Sequence, residues 1–179
     1  MKRISAAVRT KAEKIRLLLL DVDGVLTDGQ IIIDDQGVES KHFDVRDGQG
    51  ISLLKRAGVD VGFITGRTSK IVQLRARELG IQIVYQGIQD KRDAYDKIKD
   101  RCGLKDHQIA YVGDDIIDLP ILRRAGLAIT VKDGWSGLRR LVDYVTEASG
   151  GRGAVREVAE LLLKAMRKWP GMTRGFYGI

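Results

Sequence analysis

A chain of 179 residues, 44% hydrophobic and 31% charged, can fill one core and carry an ordinary soluble surface. Two prolines exclude a Pro-rich disordered linker, and a lone Cys102 excludes an internal disulfide and fits a reducing cytosol. The net charge of +7 is no nucleic-acid footprint: residues 1–20 hold six Lys/Arg against one Glu and residues 152–179 six against two, which leaves 7 − 5 − 4 = −2 for 21–151, with no basic patch interleaved with aromatics.

From the N-terminus, the first apolar run is Leu17 to Leu20, too short for a signal h-region or a membrane span. A cytoplasmic, soluble chain with no nucleic-acid or membrane partner is expected. Leu17–Val22 reads as a buried strand ending in Asp21 and Asp23. Gln30–Ile33, the turn Asp34-Asp35-Gln36-Gly37 and Val38–Phe43 then predict a β-hairpin, a flap over 29–43 inserted between the first strand and its helix. Ile31-Ile32-Ile33 needs cover on at least one face, and a partner subunit would supply it. Further strands are expected at Val59–Thr65, Ile81–Tyr85, Ile109–Val112 and Leu127–Val131. They alternate with helical patterns at 47–57, 67–79, 90–102, 115–125 and 134–141. Gly58, Gly80, Gly103 and Gly126 fall where left-handed C′ residues close helices. An amphipathic helix over Ala154–Lys168 packs on the body, and residues 169–179 form a C-terminal tail with no recognisable pattern. The expected fold class is α/β, a doubly wound parallel sheet in a single domain over 1–179.

In such sheets ligands bind beyond the carboxyl ends of the strands. Those ends collect Asp21 and Asp23, then Thr65-Gly66-Arg67, Asp90-Lys91 and Gly113-Asp114-Asp115-Ile116-Ile117-Asp118. Asp21, Asp23, Asp114, Asp115 and Asp118 cannot all stay ionised side by side without a cation. Oxygen-only ligands select a hard ion, and Mg²⁺ fits where a phosphate also binds. Thr65 and Lys91 suit that phosphate; Lys91 opens a helix, where the macrodipole disfavours a cation unless an anion is near. A carboxylate beside Mg²⁺ and phosphate can be a nucleophile. Asp21, at the strand end, is placed to attack, and Asp23, on the loop, to move the proton.

Asp21-Val22-Asp23-Gly24-Val25-Leu26-Thr27-Asp28, Ile64-Thr65-Gly66-Arg67, Lys91 and Gly113-Asp114-Asp115-Ile116-Ile117-Asp118 together resemble the four motifs of the haloacid dehalogenase-like phosphatases, in order. Phe43 to Ile51, Tyr85-Gln86-Gly87, Asp143 to Thr146 and Gly150 to Glu157 are similar to the branch acting on 3-deoxy-D-manno-octulosonate 8-phosphate, over about residues 12–165. The resemblance implies a Rossmann-type fold with no large cap domain and a homotetramer whose hairpins meet at the centre. It implies a Mg²⁺-dependent phosphoric monoester hydrolase of lipopolysaccharide precursor synthesis. Asp21 would be the nucleophile and Asp23 the acid/base. Asp21, the Asp23 carbonyl and Asp114 would hold the metal, supported by Asp115 and Asp118, and Thr65, Gly66 and Lys91 would bind phosphate. Arg67 is the nearest bidentate cation for the carboxylate of a sugar acid phosphate and favours the eight-carbon substrate; Arg46 and Arg75 are further candidates.

Simpler readings apply to several residues. Asp115 and Asp118 can cap or orient the helix that follows, Asp47 and Asp90 read as N-caps, and Thr27 and Asp28 as turn residues. His42 and His107 have no Ser or Cys at triad-like placement. The alternative substrates are a nine-carbon ulosonate phosphate or another small phosphorylated sugar. A phospho-accepting receiver domain is the alternative of another class. There the third strand ends in Asp, whereas here it ends in Tyr85-Gln86-Gly87.

Overall fold

The computed structural model describes residues 4–177. β1 (Leu17–Leu20) is the hub of a parallel sheet, paired on one side with β4 (Asp60–Ile64) and on the other with β6 (Ile109–Gly113). β5 (Ile83–Tyr85), β7 (Leu127–Thr130) and β8 (Tyr144–Val145) complete the order β5-β4-β1-β6-β7-β8. The doubly wound expectation holds.

The four leucines of β1 are all buried because the sheet is covered on both faces. Alternation sends Leu18 and Leu20 towards one layer, with Phe63, Val112 and Ile129, and Leu17 and Leu19 towards the other, with Ile64, Tyr111 and Ala128. The first layer is roofed by α1 (Ala6–Ala12), α2 (Val45–Arg56), α3 (Lys70–Glu78) and α6 (Ala154–Ala165), the second by α4 (Lys91–Cys102) and α5 (Leu119–Leu122). α2 and α6 lie against each other, and Asp47 links them: its carboxylate accepts from the N–H of Gly153 at 3.3 Å and of Arg156 at 2.7 Å, capping α6 from a neighbouring helix. Burial pushes that carboxyl up to about 6. Asp90 caps its own helix, accepting from Arg92 N–H at 3.0 Å.

The hairpin pairs β2 (Ile32–Ile33) with β3 (Glu39–Ser40), antiparallel, between β1 and α2. Asp34 Oδ1 closes its turn by accepting from the N–H groups of Gln36 and Val38. Ile31, Ile33 and Val38 stand exposed on it.

Several expectations are corrected. The helix expected over 115–125 splits into a 3-10 turn, Ile116–Asp118, and the short α5, because the Asp118 side chain folds back onto the preceding backbone. The helix expected over 134–141 is a 3-10 turn, Ser136–Arg140. Gly58, Gly80 and Gly103 do adopt positive φ, but Gly126 does not. It is glycine for space, since a Cβ there would stand 2.5 Å from the His107 Cα. The final helix stops at Ala165, Arg167 reverses the chain at φ 58, and α7 (Trp169–Tyr177) follows with Pro170 in its first turn. Much of the tail is therefore helical, with Trp169 and Met172 against the core; Gly178 and Ile179 lie outside the described residues. α1, capped by Ser5, and the two-residue β8 were not expected from the sequence.

Candidate active site

The carboxyl ends of β1, β4 and β6 converge on one edge of the sheet, as parallel pairing requires. Asp21 follows β1 directly, and its N–H is bonded to Val112 O at 3.0 Å, so the neighbouring strand fixes its backbone. Its side chain is buried. Lys91, the first residue of α4, reaches it from the next layer: Nζ lies 3.0 Å from Asp21 Oδ1 and 2.6 Å from Asp118 Oδ1. Tyr111, pointing out of β6 into the same layer, donates its hydroxyl to that Asp118 oxygen at 2.5 Å. The other Asp118 oxygen accepts from the N–H of Asp114 at 2.9 Å and of Asp115 at 3.1 Å. Four donors thus occupy Asp118, which orients Lys91 and the start of the Asp114 loop. The unfavourable dipole at the head of α4 is offset by two carboxylates.

Asp21, Asp114 and Asp118 each bring an oxygen within 4.8 Å of the others. Burial, reinforced by repulsion from Asp21 and Asp118, pushes the Asp114 carboxyl up to about 8. Burial also raises Asp21, to about 6, against the opposing pull of Lys91. Burial works against the Lys91 ammonium, yet Asp21 and Asp118 outweigh it and hold the amine above its usual value. A hard divalent cation fits this donor set, which is all oxygen and over-supplied with negative charge. With Asp118 occupied, Asp21 and Asp114 are the carboxylates of this cluster with oxygens to spare.

The protonation pattern has a measurable consequence. Both carboxyls have folded values above the ordinary 3.8, so their contribution to stability is complete below about pH 4. It is lost as pH rises through about 6 and about 8. A divalent cation held by the ionised pair would reverse the trend. Thermal melts are expected to show a larger Mg²⁺-induced rise in Tm at pH 8 than at pH 5; an equal rise at both would count against these buried acids as the ligands.

The loop after β1 is fitted backbone to backbone. Thr27 Oγ1 accepts from the N–H of Gly24 at 3.4 Å and of Gly29 at 3.3 Å, and Asp28 Oδ1 accepts from Gln30 N–H, both acting as turn residues. Gly151 N–H bonds to Val25 O at 2.9 Å. Gly24 adopts φ +94, and any Cβ there would overlap the Asp114 carboxylate. Gly24→Ala should therefore weaken Mg²⁺ binding about tenfold or more while leaving the sheet intact. Titration calorimetry with Mg²⁺ beside a circular dichroism spectrum checks both halves.

The remaining expected residues divide. Thr65, buried at the end of β4, accepts from Arg67 N–H at 3.4 Å, while Gly66 and Arg67 are exposed on the loop before α3. Asp23 lies on the β1 loop and its carboxylate pairs with Lys41 from the hairpin. Asp115 is exposed, outside the carboxylate cluster, and caps the next turn by accepting from Ile116 N–H at 2.7 Å. Arg46 is held by Asp44 at 2.6 Å and donates to Arg152 O. Arg75 pairs with Glu78 at 2.8 Å and lies over the Phe43 ring. His42 and His107 are exposed. Four residues here were not expected: Glu39, Lys41, Ser69 and Tyr111. Strand alternation, which puts Glu39 and Lys41 on one face, is the signal that could have paired the first two.

Residues 38–126 match the haloacid dehalogenase-like hydrolase family. The chain is 47% identical over 165 residues to the 3-deoxy-D-manno-octulosonate 8-phosphate phosphatase KdsC of Salmonella typhi, an alignment covering 92% of this chain and 88% of that one. Its fold is similar to the crystal structure of the 3-deoxy-D-manno-octulosonate 8-phosphate phosphatase of Yersinia pestis, with a TM-score of 0.93, 45% identity and coverage of 94% and 91%. It is similar also to the Moraxella catarrhalis phosphatase solved with magnesium, phosphate and KDO, with a TM-score of 0.92, 44% identity and coverage of 94% and 97%. With a family model matching residues 38–126 and a relative 47% identical over 92% of its length, the chain belongs to the haloacid dehalogenase-like hydrolases.

Proposed function

We propose that this chain is a Mg²⁺-dependent phosphatase that hydrolyses 3-deoxy-D-manno-octulosonate 8-phosphate to the free sugar acid and phosphate. The observation that carries the reading is the Asp21 carboxylate, fixed at the end of the central strand, 3.0 Å from a buried lysine and beside Asp114. Identity of 47% to a phosphatase of that substrate supplies the substrate class.

Asp21 attacks phosphorus in line; the P–O bond to the sugar breaks and its electron pair leaves on the sugar oxygen, which takes a proton from Asp23. The resulting aspartyl-phosphate is then hydrolysed by a water whose proton Asp23 takes back. Thr65, the Gly66 loop and Lys91 hold the phosphoryl oxygens, and Lys91 meets the charge that builds there. Asp21, Asp114 and the Asp23 carbonyl would hold Mg²⁺, which when bound neutralises phosphoryl charge. Asp118 and Tyr111 act at one remove, through Lys91 and the Asp114 backbone. Arg67, exposed on the loop two residues after Thr65, receives the carboxylate of the sugar acid. Exposed Ile31, Ile33 and Val38 on the hairpin suit burial against further copies, and we read the working form as a cytoplasmic homotetramer.

Phosphate release should be measured over a panel: the eight-carbon acid phosphate, a nine-carbon ulosonate phosphate, a hexose 6-phosphate and p-nitrophenyl phosphate. The eight-carbon acid is expected to lead in kcat/KM. A hexose phosphate or aryl phosphate used equally well would defeat the substrate assignment while leaving the phosphatase chemistry standing.

A further inference from the structure

The hairpin reaches the phosphate loop through a single carboxylate. Glu39 in β3 divides its oxygens among three groups: Oε1 lies 2.9 Å from Arg67 Nη2 and 3.5 Å from Lys41 Nζ, and Oε2 accepts the Ser69 hydroxyl at 2.8 Å. Ser69 stands at the N-cap of α3, where a serine hydroxyl ordinarily accepts from its own helix. It makes no such bond here and donates to Glu39 instead. The Ser69 hydrogen bond, with Arg67 and Lys41 adding to it against partial burial, holds the Glu39 carboxyl below its usual range. The Lys41 side chain is buried and also grips Asp23. Arg67, by contrast, keeps 45% of its side chain exposed, open to a ligand from solvent.

We propose that Glu39 is a resident carboxylate in the sugar-acid subsite: it occupies Arg67 in the resting enzyme, and the carboxylate of the incoming substrate displaces it. The proposal rests on the reading of Arg67 as the receiver of that carboxylate. Displacement does not strand the Glu39 charge, because Ser69 and Lys41 still hold it. The two carboxylates present Arg67 with the same planar, bidentate-capable group, so one can replace the other without rebuilding the loop. A phosphoester with no carboxylate has nothing to exchange with Glu39 and leaves the pair closed. Selectivity for acids then comes from competition at Arg67 as well as from attraction to it.

The test compares KM for 3-deoxy-D-manno-octulosonate 8-phosphate with KM for p-nitrophenyl phosphate in the wild type, Glu39→Gln, Glu39→Asp, Arg67→Gln and the Glu39→Gln/Arg67→Gln double variant. Removing the competitor should lower the ratio of the two KM values about threefold to fivefold, the size of a partly exposed ion pair. Glu39→Asp, which keeps the charge, should return the ratio towards the wild type. In the Arg67→Gln background the Glu39→Gln change should leave the ratio where it is, because the shared partner is gone. Turnover of p-nitrophenyl phosphate by Glu39→Gln reports that the variant is folded. A ratio that rises or stays constant in Glu39→Gln, a shift that persists without Arg67, or loss of turnover on both substrates would each overturn the proposal. A wild type that shows no preference for the sugar acid phosphate overturns the substrate reading itself, in an arm independent of every variant.

Discussion

Asp21→Asn is expected to lower phosphate release by about 10⁴-fold or more, the scale seen when a nucleophile is removed from a site whose other parts remain. The same change should leave the metal-free fold at pH 8 as stable as before, or more so. Asparagine keeps the shape of the side chain and removes a charge whose carboxyl burial has already pushed up to about 6. Lys91 does not lose its buried partner, since Asp118 Oδ1 remains 2.6 Å away. Single-turnover phosphate release and a thermal melt, measured on one preparation, separate the two effects. Activity within tenfold of the parent would remove Asp21 from the role of nucleophile.

Lys91→Met should fail differently, losing activity and stability together. Its ammonium stands between Asp21 and Asp118, neither of which has appreciable access to water. Removing the cation leaves two buried carboxylates facing each other, with Asp114 close by. Breaking a buried pair from one side costs about 3–5 kcal/mol, which for a domain of this size lowers Tm by about 6–20 °C. The phosphoryl group also loses a charged donor, and the rate should fall about 10²- to 10³-fold in the protein that remains folded. Lowering the pH should recover part of the stability, because protonation relieves the repulsion. A melt unchanged from the parent at pH 8 would mean that Lys91 is not the counter-ion the geometry makes it.

What the sequence made legible follows from where each interaction lies along the chain. Asp21, Thr65 and Asp114 stood out as candidates because each follows an apolar strand that stops at a polar residue, and Lys91 because it is a cation opening a helix. The alternation of helix and strand was readable for the same reason. α1 was not, since only Val8 and Ala12 of its seven residues are buried and no apolar stripe marks it. β8 is two residues long and is recognised only by its pairing with Ile129 and Thr130. The roles of Glu39 and Lys41 were hidden because their partners lie far off: Arg67 is 28 residues from Glu39, and Asp23 is 18 from Lys41. Asp115 and Asp118 looked equivalent in the motif. A single tight turn separates them, aiming Asp118 inward at four donors and leaving Asp115 to cap a helix turn in solvent.

β1 carries a consequence for how the molecule opens. Flanked by strands on both sides and buried in all four residues, it belongs to the part of the protein whose amides exchange with solvent only when the whole domain unfolds. The two-residue ladder of the hairpin belongs to the opposite end of that hierarchy and opens by local fluctuation. Asp21 is thus anchored to the slowest-opening element, while Glu39 and Lys41 ride on one of the fastest. The nucleophile proposed here would thus be held still, while Glu39, the proposed competitor at Arg67, would keep the freedom to let go.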